Sequence, residues 1–381
     1  MKRLFYSGLL LLGLFEIANV YFIMPMPGSQ RMNSIDLAYF LYAYRWWFRV
    51  LFLLMIVLGS LAAFTTRRKW IPAIAILPVI AIVYLFNFMM VADHMFLQPG
   101  HVVFKSKSEN NLTDSSLVVT VTHNGEAKAY PIRLIQYHHQ VRDTIGGKLV
   151  MVTYCNVCRT GRVFEPTVNG KPERFRLVGM DHFNAMFEDE TTGSWWRQAN
   201  GQAITGSLKG TLLPEVECIQ LNLRTFFAVY PDGKVMQMEK QFKGVYDTLG
   251  RYEKGRSRSQ LTRTDSLPWK DKSWVIGIDI DKHAKAFDWF DLKTKRAIND
   301  KVGDVPVVVA LAGDDQSFVA FRRNDNENFI IRNDSLIGPS NRYDFLGRSA
   351  DGTRLDLVKS YQEFWHSWNT FHPYTEKYSA N

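Results

Sequence analysis

Three long apolar runs in the first hundred residues constrain this chain more than any other feature. Leu4 to Met24 is apolar apart from Glu16 and Asn19, Trp46 to Phe64 apart from Arg49, and Ile71 to Ala92 almost throughout. As a helix, each is long enough to cross a hydrocarbon core of about 30 Å. A backbone in lipid must satisfy its own polar groups, so the runs predict three transmembrane helices, about 4–24, 46–64 and 71–92, inside a membrane region 1–95. The first run is followed by Pro25-Met26-Pro27 rather than by a small-residue cleavage site, so it reads as retained. Pro72 and Pro78 are expected to bend the third span, which membrane helices tolerate.

Basic residues set the orientation. Lys2 and Arg3 precede the first span and Arg67-Arg68-Lys69 fill the loop between the second and third, which places both on the cytoplasmic side. Tyr42, Tyr44, Trp46 and Trp47 suit an aromatic belt at the outer face. The expectation is a multi-pass protein of the cytoplasmic (inner) membrane, with the lipid bilayer as a partner and everything from about Asp93 onward facing the periplasm or exterior. Glu16 reads as a helix–helix contact with Asn19 or Arg49, because an ionisable group in a span needs a partner.

Composition narrows the remainder. The net charge of +9 is dispersed, with no long basic run beside interleaved aromatics, so a nucleic-acid partner is not expected. Three cysteines are too few for a disulfide scaffold and leave one unpaired in any scheme. Apolar residues make up 46% of 381, enough for a substantial core besides the spans.

Beyond a polar linker at 96–116 the chain resembles itself. When Val118 is laid on Val275, Ala127-Lys128-Ala129-Tyr130 meets Ala284-Lys285-Ala286-Phe287, Asp143 meets Asp300, Gly146 meets Gly303, and Phe164 meets Phe321. A looser echo pairs Thr225 to Pro231 with Ser367 to Pro373. Asn124-Gly125 and Asn169-Gly170 are hairpin signals between extended runs, and helix-period segments are few, the best being Ser360 to Phe371 and Leu223 to Val229. The fold class expected is α+β and β-rich: a three-helix transmembrane region followed by two tandem related halves, 117–250 and 274–381, joined by a connection at 251–273.

The self-match separates structural residues from candidate site residues. Asp143, repeated as Asp300, reads as a strand-end carboxylate, whereas Cys155 falls opposite Ala312, Cys158 opposite Asp315 and His138 opposite Lys295. Cys155 and Cys158 lie in a short connection between the extended runs Lys148 to Tyr154 and Thr160 to Phe164. A thioredoxin-like C-x-x-C opens a helix instead, so the spacing leaves a zinc knuckle, a redox dithiol and a simple disulfide all open. His138 and His139 are the nearest imidazoles in sequence; Cys218, Met180 and His182 are further donors, Cys218 reading as a lone buried thiol and His182 as a polar turn residue.

HHQVRD, VTYCNVCRTGRVFEP, the stretch Asp189 to Leu213 and FWHSWNTFHPYTEKY together resemble the domain of unknown function 3179 family over about Leu117 to Tyr378. The family pattern runs roughly H-E-I-V-N-D, Y-C-P-L-C-G-T and T-G-S-x-W-x-Q. It is met here by His138, Val141, Asp143, Tyr154, Cys155, Cys158, Thr160, Thr192, Gly193, Ser194, Trp196 and Gln198. His139 replaces the acidic residue, Arg142 the Asn, and Asn156-Val157 the Pro-Leu. The resemblance implies a shared fold and site region and no established reaction.

Ligand chemistry then suggests a metal site (copper, iron or zinc) or a thiol redox site on Cys155, Cys158, His138 and His139, served by a membrane protein or redox partner. The alternative is a non-catalytic assembly or sensor module in which the C-x-x-C is a structural disulfide. Ser194, Trp196 and Gln198 form a second candidate, a cleft with polar contacts beside an aromatic face. A hydrolase is disfavoured, since no G-x-S-x-G, H-E-x-x-H or phosphate-cradling glycine loop is present.

Overall fold

The computed structural model describes residues 1–379 and divides the chain into two compact units. One comprises Met1–Leu97 with Glu173–Leu212, the other Gln98–Pro172 with Leu213–Asn381. The segment 173–212, read above as part of a first β-rich half, belongs with the helices.

In the first unit the helices are α1 (Lys2–Tyr21), α2 (Ile35–Ala43), α3 (Arg45–Phe64) and α4 (Trp70–Tyr84), the last continued by a π-helical stretch Leu85–Met89. Three helices, Lys2–Tyr21, Arg45–Phe64 and Trp70–Met89, are long and apolar enough to cross a membrane. Helix α2, short and outside the three spans, was not anticipated. Trp46, Trp47, Leu58 and Leu61 on α3 stand more than half exposed, the pattern of a lipid-facing surface. Gly59 lets α3 approach α1 closely, because a Cβ there would strike the Phe5 backbone. Glu16, 1% exposed, takes Arg49 Nε and Nη2 at 2.7 and 2.9 Å and Asn87 Nδ2 at 2.9 Å. The acid therefore ties three helices together, with Arg49 and not Asn19 as its partner.

Four antiparallel strands, Phe175–Asp181, Asn184–Asp189, Trp195–Arg197 and Ala203–Thr205, complete this unit. They cover the bundle end at which α1 finishes and α3 begins. Met180 N donates to Ile23 O at 2.7 Å, and Phe183 N to Gln30 Oε1 at 3.0 Å. A side chain at Gly179 would collide with the Ile23 carbonyl, so only glycine admits that contact.

The second unit begins with the hairpin Leu117–His123/Glu126–Pro131, the helix Ile132–His138 and the strands Gln140–Ile145, Lys148–Cys155 and Thr160–Phe164. Cys218–Asn222 then pairs with Leu117–His123, the helix Leu223–Val229 follows, and Lys234–Met236 pairs in parallel with Glu126–Pro131. The stretch from Trp274 passes through the same order: hairpin Trp274–Ile280/His283–Asp288, helix Trp289–Lys295, and strands Ala297–Val302, Val305–Leu311 and Phe318–Arg322. Tyr361–Phe364 pairs with the first strand, the helix Trp365–Phe371 follows, and Glu376–Lys377 pairs in parallel with His283–Asp288. The helix expected over Ser360 to Phe371 thus begins only at Trp365, its first residues having been claimed by sheet pairing. No helix or strand lies between Thr248 and Trp274, while the 96–116 linker contributes the short strand Phe104–Lys105.

Alternation explains the cores. Val119, Val121, Val150, Val152 and Tyr154 pack with Ile132 and Ile135, and Ile276, Ile278, Val307 and Val309 pack with Trp289 and Leu292. In both places inward side chains from two sheets close on one short helix.

Candidate functional site

Cys155 ends the strand Lys148–Cys155, and Cys158 lies in the turn before Thr160–Phe164. Both are fully buried, and their Sγ atoms are 2.6 Å apart with no disulfide assigned. The turn is held from several sides. Phe364 N donates to Cys158 O at 2.8 Å, and Tyr252 Oη donates to Asn156 O at 2.9 Å. Arg159, 1% exposed and at a positive φ of 59°, donates to Gln362 Oε1, Tyr252 O and Glu253 O at 3.1, 3.0 and 2.9 Å. Its guanidinium lies 3.6 Å from the Trp274 ring centroid, so the charge is buried but fully engaged.

Two groups absent from the sequence reading meet the turn at Val157. Lys272 Nζ donates to Val157 O at 2.8 Å and to His366 Nε2 at 3.0 Å, and it sits 4.7 Å from the Phe364 ring centroid. Burial lowers the Lys272 ammonium to about 8, against the opposing pull of the Cys158 and Cys155 sulfurs. Burial and the Lys272 charge lower His366 to about 3, so at neutral pH it is an uncharged acceptor for the lysine. A cation in this position favours the thiolate form of the nearby sulfurs.

Lys272 was missed because it sits in a stretch read only as a connection. His366 was legible: in the looser self-match it stands opposite Arg224, so it too is confined to one half.

The histidines expected as ligands each make a buried hydrogen bond. His138 Nε2 is 2.6 Å from Tyr246 Oη, and His139 Nδ1 is 3.0 Å from Tyr154 O. His139 occupies the left-handed position that ends its helix, and burial lowers it to about 4. Lys295 and Arg296 perform the same two tasks in the later stretch: Lys295 donates to Tyr378 Oη at 2.6 Å, and Arg296 to Ala312 O at 3.2 Å. Among the described residues, no group of three or more His, Cys, Asp or Glu side chains is disposed to hold a metal ion. Cys218, on the strand beside Leu117–His123, has its thiol pushed up to about 12 by burial.

Ser194, Trp196 and Gln198 lie in the other unit and are 0–1% exposed. Trp196 Nε1 donates to Asp189 Oδ2 at 2.8 Å, Ser194 Oγ meets Thr192 Oγ1 at 2.7 Å, and Gln198 Oε1 accepts from Asn184 Nδ2 at 3.2 Å. These contacts shape a turn and leave the three side chains inside the unit, not along an open cleft. His182 is a turn residue at φ 50°, bonded to Asp181 and Asn33, and Met180 shares its unit.

No curated protein and no solved structure matches the chain. A family model described as a protein of unknown function (DUF3179) matches residues 98–375, a span that contains the cysteine turn, Lys272 and His366. The chain belongs to the DUF3179 family.

Proposed function

We propose that the protein is a membrane-anchored, outward-facing thiol–disulfide centre, with Cys155 and Cys158 as the redox pair and Lys272 and His366 as its cationic and proton-accepting neighbours. The observation that carries this reading is the Lys272 ammonium, hydrogen-bonded to the Val157 carbonyl inside the turn and acting electrostatically on both sulfurs. A structural staple needs no such desolvated cation. The basic residues at Lys2, Arg3 and Arg67 to Lys69 support an outward orientation, and the matching order of elements after Leu117 and after Trp274 supports an origin by duplication.

In the exchange, one cysteine thiolate attacks a sulfur of a partner disulfide, and the partner's other sulfur leaves as thiolate. The second cysteine then attacks the mixed disulfide and releases the partner's first sulfur. The Cys155–Cys158 bond forms, two electrons pass to the partner, and the two protons released end on its thiolates. Lys272 holds the attacking sulfur in its charged form while that bond is made.

Alkylation of the reduced full-length protein in detergent tests this. At pH 7, Lys272→Met is expected to slow iodoacetamide labelling of the pair about tenfold, the effect of one unit in thiol acidity. The gap should narrow above pH 8, where wild-type Lys272 itself loses its charge. Equal rates at pH 7, with a pair that resists reduction, would leave the structural-disulfide reading. Stoichiometric copper, iron or zinc that vanishes in Cys155→Ser/Cys158→Ser would move the site to the metal-binding class.

A further inference from the structure

A cavity of about 220 Å³ opens on the far side of Arg159, lined among others by Glu253, Lys254, Arg256, Trp289 and Gln316. It is smaller than the roughly 300–1,000 Å³ of clefts for drug-sized ligands. Its acids and bases are unequally committed. Asp314 takes the N–H groups of Gln316 and Ser317 and the hydroxyls of Ser317 and Thr225, and Asp315 pairs with Arg296 and Lys293. Lys254 and Arg256, both exposed, have no ion pair among the described residues. The Glu253 carboxyl lines the same cavity, and its Oε1 is shut off from solvent with no hydrogen-bond partner among the described residues. A buried oxygen left in that state costs about 1–3 kcal/mol, which a ligand able to bond with it would recover.

We infer that this cavity is a binding site for a small, singly charged carboxylate, held by Lys254 and Arg256 at the mouth and by a hydrogen bond from protonated Glu253 at the base. This inference goes beyond the redox reading and stands without it. A dianion suits the site poorly, because Asp314 and Asp315 also line it. Burial raises Glu253 to about 7, opposed by the Arg133 and Arg159 charges and by the backbone N–H groups of Arg133 and Leu117. Below that value the carboxyl is neutral and donates to an anion; above it, it is charged and repels one. The other charged groups around it are Arg133, Arg159, Lys254, Arg256, Lys293, Asp314 and Asp315. The segment also reaches the redox turn, since Glu253 follows Tyr252, whose hydroxyl holds Asn156.

Titration calorimetry on the full-length protein in detergent tests the assignment, with acetate, benzoate and inorganic phosphate as probes at pH 6 and pH 8. The expected result is saturable binding of a monocarboxylate at pH 6, weakened about tenfold at pH 8. Lys254→Ala/Arg256→Ala, which removes only exposed side chains, should weaken binding at least tenfold at both values. Glu253→Gln should keep the pH 6 affinity and abolish the difference between the two. Absence of saturable carboxylate binding at pH 6, affinity unchanged in the double variant, or phosphate binding tighter than either carboxylate would overturn it.

Discussion

The turn 155–159 and the turn 312–317 follow the same order of elements in the second unit, yet only one carries cysteines. Each joins two neighbouring antiparallel strands, in a four-stranded sheet for the first turn and a three-stranded one for the second, and each is held from the other stretch: Cys158 O accepts from Phe364 N, while Ser317 Oγ accepts from Asn222 N. The surrounding backbone matches bond for bond. His366 N donates to Asp271 O at 3.0 Å and Arg224 N to Asp114 O at 2.9 Å. On that common frame one turn has Cys155, Cys158 and a Val157 carbonyl met by Lys272 and His366, and the other has Ala312 and Asp315. The frame therefore positions a turn, and the side chains placed on it set what that turn can do.

The largest effect that would test this comparison is at Arg159. Arg159→Ala removes a buried guanidinium from three carbonyl oxygens and from Trp274, and it should destabilise the protein by about 3–5 kcal/mol in denaturant titration. Gln316→Ala, at the matching position, should stay within about 0.5 kcal/mol. Equal losses would mean that the two turns are supported alike.

Next is the contrast between His139 and Arg296, which stand at matching places after their helices and bond to Tyr154 O and Ala312 O. His139 is held near 4 when folded and returns to its ordinary value when unfolded, so its contribution is complete above about 6.5 and is lost as pH falls toward 4. The upper bound is on the order of 3 kcal/mol for a group 1% exposed. His139→Gln should flatten the acid limb of a stability–pH curve, whereas Arg296→Gln should leave its slope in place. His366 adds to that limb in the same direction.

The smallest difference concerns two ion pairs. Lys128 meets Asp143 at 2.8 Å and Lys285 meets Asp300 at 2.7 Å, but Asp143 also accepts from Tyr130 Oη where the later stretch has Phe287. Asp143→Asn should cost about 0.5–1.5 kcal/mol more than Asp300→Asn, the worth of that hydrogen bond. Thermal unfolding of the two variants side by side checks it.

Much of this frame was readable from residues alone. Apolar runs gave the spans to within a few residues, β-branched alternation gave the strands around Asn124-Gly125 and Ile145 to Gly147, and the self-match marked Asp143 as structural. The direction of the histidines was not legible, because proximity in sequence to a cysteine turn says nothing of it: His138 ends a helix, and its Nε2 is 2.6 Å from Tyr246 Oη. Lys272 could not be found by spacing, since it reaches the Val157 carbonyl from more than a hundred residues away. The association of 173–212 with the helices was equally hidden, because its determinants are backbone groups such as Ile23 O and Met180 N, which no side-chain pattern announces.

That last association sets a timetable for biogenesis. The spans leave the ribosome first, residues 98–172 follow, and only then does the sheet that covers Ile23, Gln30 and Asn33 emerge. At about 5–20 residues per second the delay is roughly 4–15 s. For those seconds the segment Ile23 to Asn33 of each nascent molecule is bare, an interval in which a quality-control protease could tell unfinished copies from mature ones by touch.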